Sequence, residues 1–131
     1  MKTESRTIPG IEVTVSRVVH FEAGDKLPTG RPHAFVYFIT VQNGSSERIT
    51  LLGRKWIVHG PGGRREVIEG DKIVGKTPCL SPGEHFSYNS FHTTSGDARA
   101  EGSFHGVDDS GGRVHVCIPP FEMNVPRANL A

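Results

Sequence analysis

The chain has 131 residues, 35% of them hydrophobic and 22% charged, and a formal net charge of +1. That length suits one domain able to bury about two-thirds of the surface its unfolded form exposes, with no metal or disulfide staple. The composition excludes a disordered chain, and the near-zero balance of interspersed charges leaves no overall field to draw the protein to nucleic acid or an anionic membrane.

No apolar run follows Met1–Arg6, so no signal peptide is read there, and the expected location is cytoplasmic. Val and Ile total 21 residues against 11 for Leu and Ala, a bias towards strands, because β-branched side chains suit a pleated surface and lose rotamer freedom in a helix. The first strand is expected over Gly10–Glu22, where Ile11, Val13 and Val15 alternate with Glu12, Thr14 and Ser16. Gly24, Pro28, Gly30 and Pro32 then exclude a regular element. The second strand, His33–Gln42, is apolar on both faces and is expected to be central, with cover on two sides. Its Phe35–Val41 core is the longest apolar stretch and falls far short of the ~20 residues a membrane helix needs.

Asn43-Gly44 signals a turn, and Arg48–His59 reads as a strand with a bulge or bend near Gly53. Pro61-Gly62-Gly63 leads into a short strand, Arg64–Glu69. Gly70–Gly83 reads as a long irregular segment. Strands resume at Glu84–Phe91, Arg99–Val107 and Arg113–Ile118, the last two joined as a hairpin by Asp108–Gly112. Seven or so strands without a helical period predict an all-β, two-sheet antiparallel sandwich of immunoglobulin or fibronectin type III character. It is expected to fill residues 1–131 as a single domain, with flexible tails at 1–9 and 124–131.

Several motifs together point further. Arg54-Lys55-Trp56-Ile57-Val58, Gly70–Pro78, Leu80–Tyr88 and Ile118-Pro119-Pro120-Phe121, preceded by Ile39–Asn43, resemble the ApaG family in order and spacing over about residues 10–123. The resemblance implies a fibronectin type III-like sandwich and an association with cobalt and magnesium efflux or resistance. It also implies a partner-recruiting role, as for related domains at the C-terminal end of certain eukaryotic F-box and DNA-polymerase-delta-interacting proteins, and phosphate binding at a glycine pattern. This chain departs from the family pattern at three places. Lys55 replaces a usual His, Lys72 replaces the middle glycine of Gly-x-Gly-x-x-Gly, and Phe91–Gly96 differs from the usual loop.

Gly70–Thr77 also matches the phosphate-loop pattern G-x-x-x-x-G-K-[ST]. Such a loop must launch a helix whose N-terminus faces phosphate, and Pro78, Pro82 and Gly83 prevent one. What remains is an anion-binding candidate at Gly70, Lys72, Gly75 and Lys76, for pyrophosphate or a dinucleotide polyphosphate, set against a plain solvated connection. A partner-binding candidate is the basic set Arg54, Lys55, Arg64 and Arg65, expected to share one rim. His92 with His105 and His33 with His59 lack the spacing of a zinc site, so no metal or other cofactor is expected. No serine near His85 or His92 sits in a nucleophile elbow, and no catalytic residue is assigned. Cys79 and Cys117 are expected as two buried thiols rather than a disulfide. Trp56, Phe35, Tyr37, Phe86 and Tyr88 are expected in the core. The reading is a non-enzymatic interaction domain whose partner is another protein, not nucleic acid, and whose edge strands can also pair two copies.

Overall fold

The computed structural model describes residues 4–22 and 24–127. Among these residues eight strands form in chain order: β1 (Ile11–Glu22), β2 (His33–Asn43), β3 (Ile49–His59), β4 (Arg65–Asp71), β5 (Cys79–Leu80), β6 (His85–Thr94), β7 (Ala98–Asp108) and β8 (Arg113–Met123). They make two antiparallel sheets, a small one ordered β1-β2-β6 and a larger one ordered β4-β3-β7-β8, with β5 paired to the start of β3. This is the expected all-β sandwich.

The strand period of two sorts the side chains. From β2, Phe35, Tyr37, Ile39 and Val41 enter the core, where they meet Leu51, Trp56 and Val58 of β3, Phe104 of β7 and Val114, Val116 and Ile118 of β8. Tyr37 and Trp56 lie with ring centroids 5.0 Å apart, and Phe121 closes on both rings at 5.5 and 5.8 Å. Phe86 and Tyr88 pack at the margin of this core, half-buried. The bulge expected near Gly53 is present as a register shift between Leu51 and Gly53 against β7. A second shift between Val15 and Arg17 re-phases β1, so that Val18 packs on the core and His20 on Phe35.

Five details differ from the sequence reading. Among the described residues no layer covers the outer face of β2, which lies in a three-stranded sheet packed on one side only. β6 runs to Thr94 and β8 runs through Pro119-Pro120 to Met123, since a bulge between Ala100 and Gly102 absorbs the prolines at an edge where no ladder donor is needed. Both cysteines are free and exposed: Cys117 alternates with buried Val116 and Ile118 and points outward. The irregular segment contains a core residue, Ile73, fully buried on a tight turn. Within the segments expected as tails, Arg6 bridges to Val114 of β8, Ile8 is buried, and the Val125 amide donates to Asp97 Oδ1 at 2.8 Å. Residues 1–3 and 128–131 of those tails lie outside the described residues.

Asn43 organises the crossing from the small sheet to the large one. Its side chain is fully buried, donates to the carbonyls of Glu47 (2.7 Å) and Leu80 (2.9 Å), and accepts from the Ser45 amide (3.0 Å). The turn signal at Asn43-Gly44 thus marks a connection between layers.

Candidate interaction surface

The anion candidate is spread over a strand end and a turn. No α-helix starts at Lys76. Ile73 and Lys76 exchange backbone bonds at 2.7 and 3.1 Å around Val74 (φ 48°) and Gly75 (φ 77°), a two-residue turn of the primed kind. The Lys72 amide donates to the Leu52 carbonyl at 2.6 Å. The amides of Lys72, Ile73 and Lys76 are therefore committed to carbonyls and do not form an anion cradle. Gly70 lies in β4, where the Arg54 guanidinium occupies the place of a side chain: a Cβ there would lie 2.6 Å from Nη1.

The basic set is not one patch. Arg54 shares its face of β3 with buried Trp56 and Val58 and spends Nη1 on the carbonyls of Asp71 (2.9 Å) and Lys72 (3.0 Å). Lys55 points to the opposite, outer face and pairs with Glu69 at 3.5 Å. Arg65 stands opposite His59, five positions beyond Arg54 along β3, roughly 17 Å away at the usual strand rise, with Arg64 beside it. Arg64 lines a small cavity of about 40 Å³ with Arg31, Glu66, Thr93, Thr94 and Ser95.

The histidine pairs also separate. His92 is buried between Tyr37 and Trp56, with centroids 4.8 Å from each, and burial pushes its imidazole down to about 4. His105 lies on the outer face of the larger sheet, over Gly53. His33 meets His20 (His20 Nε2···His33 Nδ1 2.9 Å), and His59 meets Glu101 (3.1 Å). Among the described residues, no three His, Cys, Asp or Glu side chains converge on a metal position. Asp108 is structural: it accepts from the Ser110 and Gly112 amides at 3.0 and 2.8 Å and pairs with Arg6 at 2.7 Å.

What the fold does assemble is an apolar surface on the outer face of the small sheet. Register places Val19 opposite Val36 and Val36 opposite Phe91, a row across all three strands. Phe21 stands beside it opposite Ala34, and Phe38 lies on the other side under the Arg17 guanidinium, 5.7 Å from the ring centroid. Phe21 and Phe91 are 53% and 56% exposed. Soluble monomers seldom leave contiguous apolar surface of this kind in water unless it contacts something.

A family model described as the ApaG domain matches residues 24–108. The chain belongs to the ApaG family. It is 35% identical over 115 residues to Protein ApaG of Deinococcus radiodurans, covering 87% of this chain and 88% of that one. Against Protein ApaG of an Anaeromyxobacter species it is 38% identical over 120 residues, covering 89% and 91%. The crystal structure of a protein designated ApaA from Bordetella pertussis superposes with a TM-score of 0.72 at 25% identity, covering 95% of this chain and all of that one.

The apolar row of this ApaG domain was half visible in its sequence. Val36 and Phe38 were plain as a second apolar face on β2, which sequence reasoning took for a buried face. Phe91 was missed because its strand was ended at that residue and its neighbours were read as a loop. Phe21 was missed because the β1 bulge re-phases the strand after the alternation has been read.

Proposed function

We propose that this ApaG domain is a non-catalytic recognition module that docks a partner protein on the outer face of its small sheet. The observation that carries this reading is the row Val19–Val36–Phe91, half-buried at the two valines and exposed at Phe91, with exposed Phe21 beside it, on a face of the sheet that no other layer covers among the described residues. Burying such side chains against a partner is worth about 25 cal/mol per Å² of apolar surface, and aromatic anchors near the centre of an interface dominate its energy. The same face explains why β2 is apolar on both sides, which a sandwich of only two layers does not need. The association with cobalt and magnesium handling that the family resemblance implies then belongs to the partner complex, not to an ion held by this chain. The expected cytoplasmic location is part of the same reading.

Affinity capture from a native lysate tests it. Phe21→Asp and Phe91→Asp together should abolish capture of the partner that the unaltered chain retains. Because both side chains are exposed, thermal stability should stay within about 0.5 kcal/mol. Undiminished capture by a folded double variant would refute the reading.

A further inference from the structure

The two sheets do not have the same width, and the mismatch falls on one side. Trp56 of β3 touches both Tyr37 of β2 and His92 of β6, so β3 lies over the seam between those two strands. β4, the next strand beyond β3, then lies past the last strand of the small sheet. This leaves a notch beneath β4 alongside β6, and the 40 Å³ cavity lined by Glu66 of β4 and Thr93–Thr94 of β6 lies in it.

Among the described residues, nothing pairs with the edge of β6 that faces the notch. The Asn43 amide donates to the Glu84 carbonyl, and the β2–β6 register then continues unbroken to Thr94. Antiparallel ladders alternate, so residues 86, 88, 90, 92 and 94 turn their backbone groups to β2, while His85, Ser87, Asn89, Phe91 and Thr93 turn theirs away. The other edges carry features that discourage pairing. β1 has a bulge and the charges of Glu12, Arg17 and Glu22. β4 carries Arg65, Glu66, Glu69 and Asp71. β8 has Pro119 and Pro120 and is capped at Val114 by Arg6. β6 has no Lys, Arg, Asp, Glu, proline or bulge in ten residues.

We propose that the free edge of β6 takes up an extended segment of a partner protein as a fourth strand of the small sheet. This rests on the reading of the chain as a protein-recognition module and names the form its partner takes. Main-chain bonds to the five outward-turned residues supply affinity, and alternate side chains supply selectivity. Inward positions of the incoming strand lie under half-buried Ile68 of β4 and call for apolar residues. At the Thr93–Thr94 end the segment passes Arg64, which lines the cavity there and has no carboxylate within 4.0 Å among the described residues. An acidic residue is called for there. A second copy of this chain is a poorer occupant: antiparallel pairing of two β6 edges places a two-fold axis normal to the sheet and would drive the two overhanging β4 strands into the same space.

The test is selection of a phage-displayed random peptide library of about twelve residues per insert on the folded chain, followed by amide exchange with the enriched peptide. Enriched peptides should alternate apolar residues and carry an acidic end. They should slow exchange at Ser87, Asn89 and Phe91 about tenfold or more, leaving Ser90 and His92 as they were. Asn89→Pro removes an outward amide and spares the β2 ladder, so it should weaken binding about tenfold or more. Arg64→Ala should weaken it and flatten its salt dependence. No enrichment, protection elsewhere, or equal binding by folded Asn89→Pro would overturn the proposal. The protection pattern is read on the unaltered chain and needs no variant to fold. Lysate capture separates the two readings: loss with Phe21→Asp and Phe91→Asp but not with Asn89→Pro would leave the docking face standing and remove the added strand.

Discussion

Val36 stands directly opposite Phe91 on the uncovered face of the small sheet, and the two join the central strand to the edge strand in one apolar row. Their neighbours on the inner face, Phe35, Tyr37 and His92, are buried. The same two strands therefore serve two surfaces, one that holds the fold together and one left for another molecule. That division separates residues whose replacement should destroy the fold from residues whose replacement should destroy only recognition.

Asn43 belongs to the first group. Asn43→Ala removes the donor to the Glu47 and Leu80 carbonyls and leaves both without that partner. Stranding buried polar groups costs about 1–3 kcal/mol each. Urea denaturation should show a loss of about 2–4 kcal/mol; a loss under about 1 kcal/mol would mean the crossing is held by something else.

Val74 should behave in the opposite way. A β-branched residue at φ 48° is strained, and Val74 is 57% exposed, so its side chain recovers little by packing. Asn tolerates this region and suits a primed two-residue turn before glycine. Val74→Asn should stabilise the chain by about 1 kcal/mol, read as a higher melting temperature.

His92 should make stability pH-dependent in the mildly acidic range. Burial holds its folded-state pKa at about 4, whereas an unfolded histidine titrates near 6.5. Between those values the unfolded chain binds more protons, so stability is complete above about pH 6.5 and falls as the pH drops towards 4, by about 3 kcal/mol in all. His92→Phe keeps a ring against Tyr37 and Trp56 and should remove that slope from urea midpoints measured over the same range.

Asp108 acts at lower pH. The Arg6 guanidinium, with the Ser110 hydroxyl and the Gly112 amide, holds its carboxyl well below the usual carboxylate range. A depressed carboxylate stabilises the fold above its unfolded pKa and loses that contribution as the pH falls below it. Asp108→Asn should be less stable than the unaltered chain at pH 7, and the difference should shrink steadily as the pH falls below about 4; a constant difference at every pH would contradict the assignment.

The strands were legible because alternation and glycine or proline breaks are local signals. Ile11, Val13 and Val15 announce β1, and Asp108–Gly112 announces the last hairpin. The exclusion of a helix after Lys76 was equally local, since it rests on Pro78 and Pro82. What escaped was set by contacts distant in sequence. The Pro119-Pro120 pair looks like a strand end until a bulge against β7 accommodates it. Arg54 and Lys55 look like one patch until pleating sends them to opposite faces. The second apolar face of β2 was legible, but a sequence cannot say whether its cover comes from the same chain.

Cross-saturation NMR of the complex with the captured partner addresses the docking face most directly. With the partner protonated and this chain deuterated apart from its methyl groups, saturation should pass first to the methyls of Val19 and Val36. Saturation arriving instead at Ile57 and Val67, on the outer face of the larger sheet, would contradict the account.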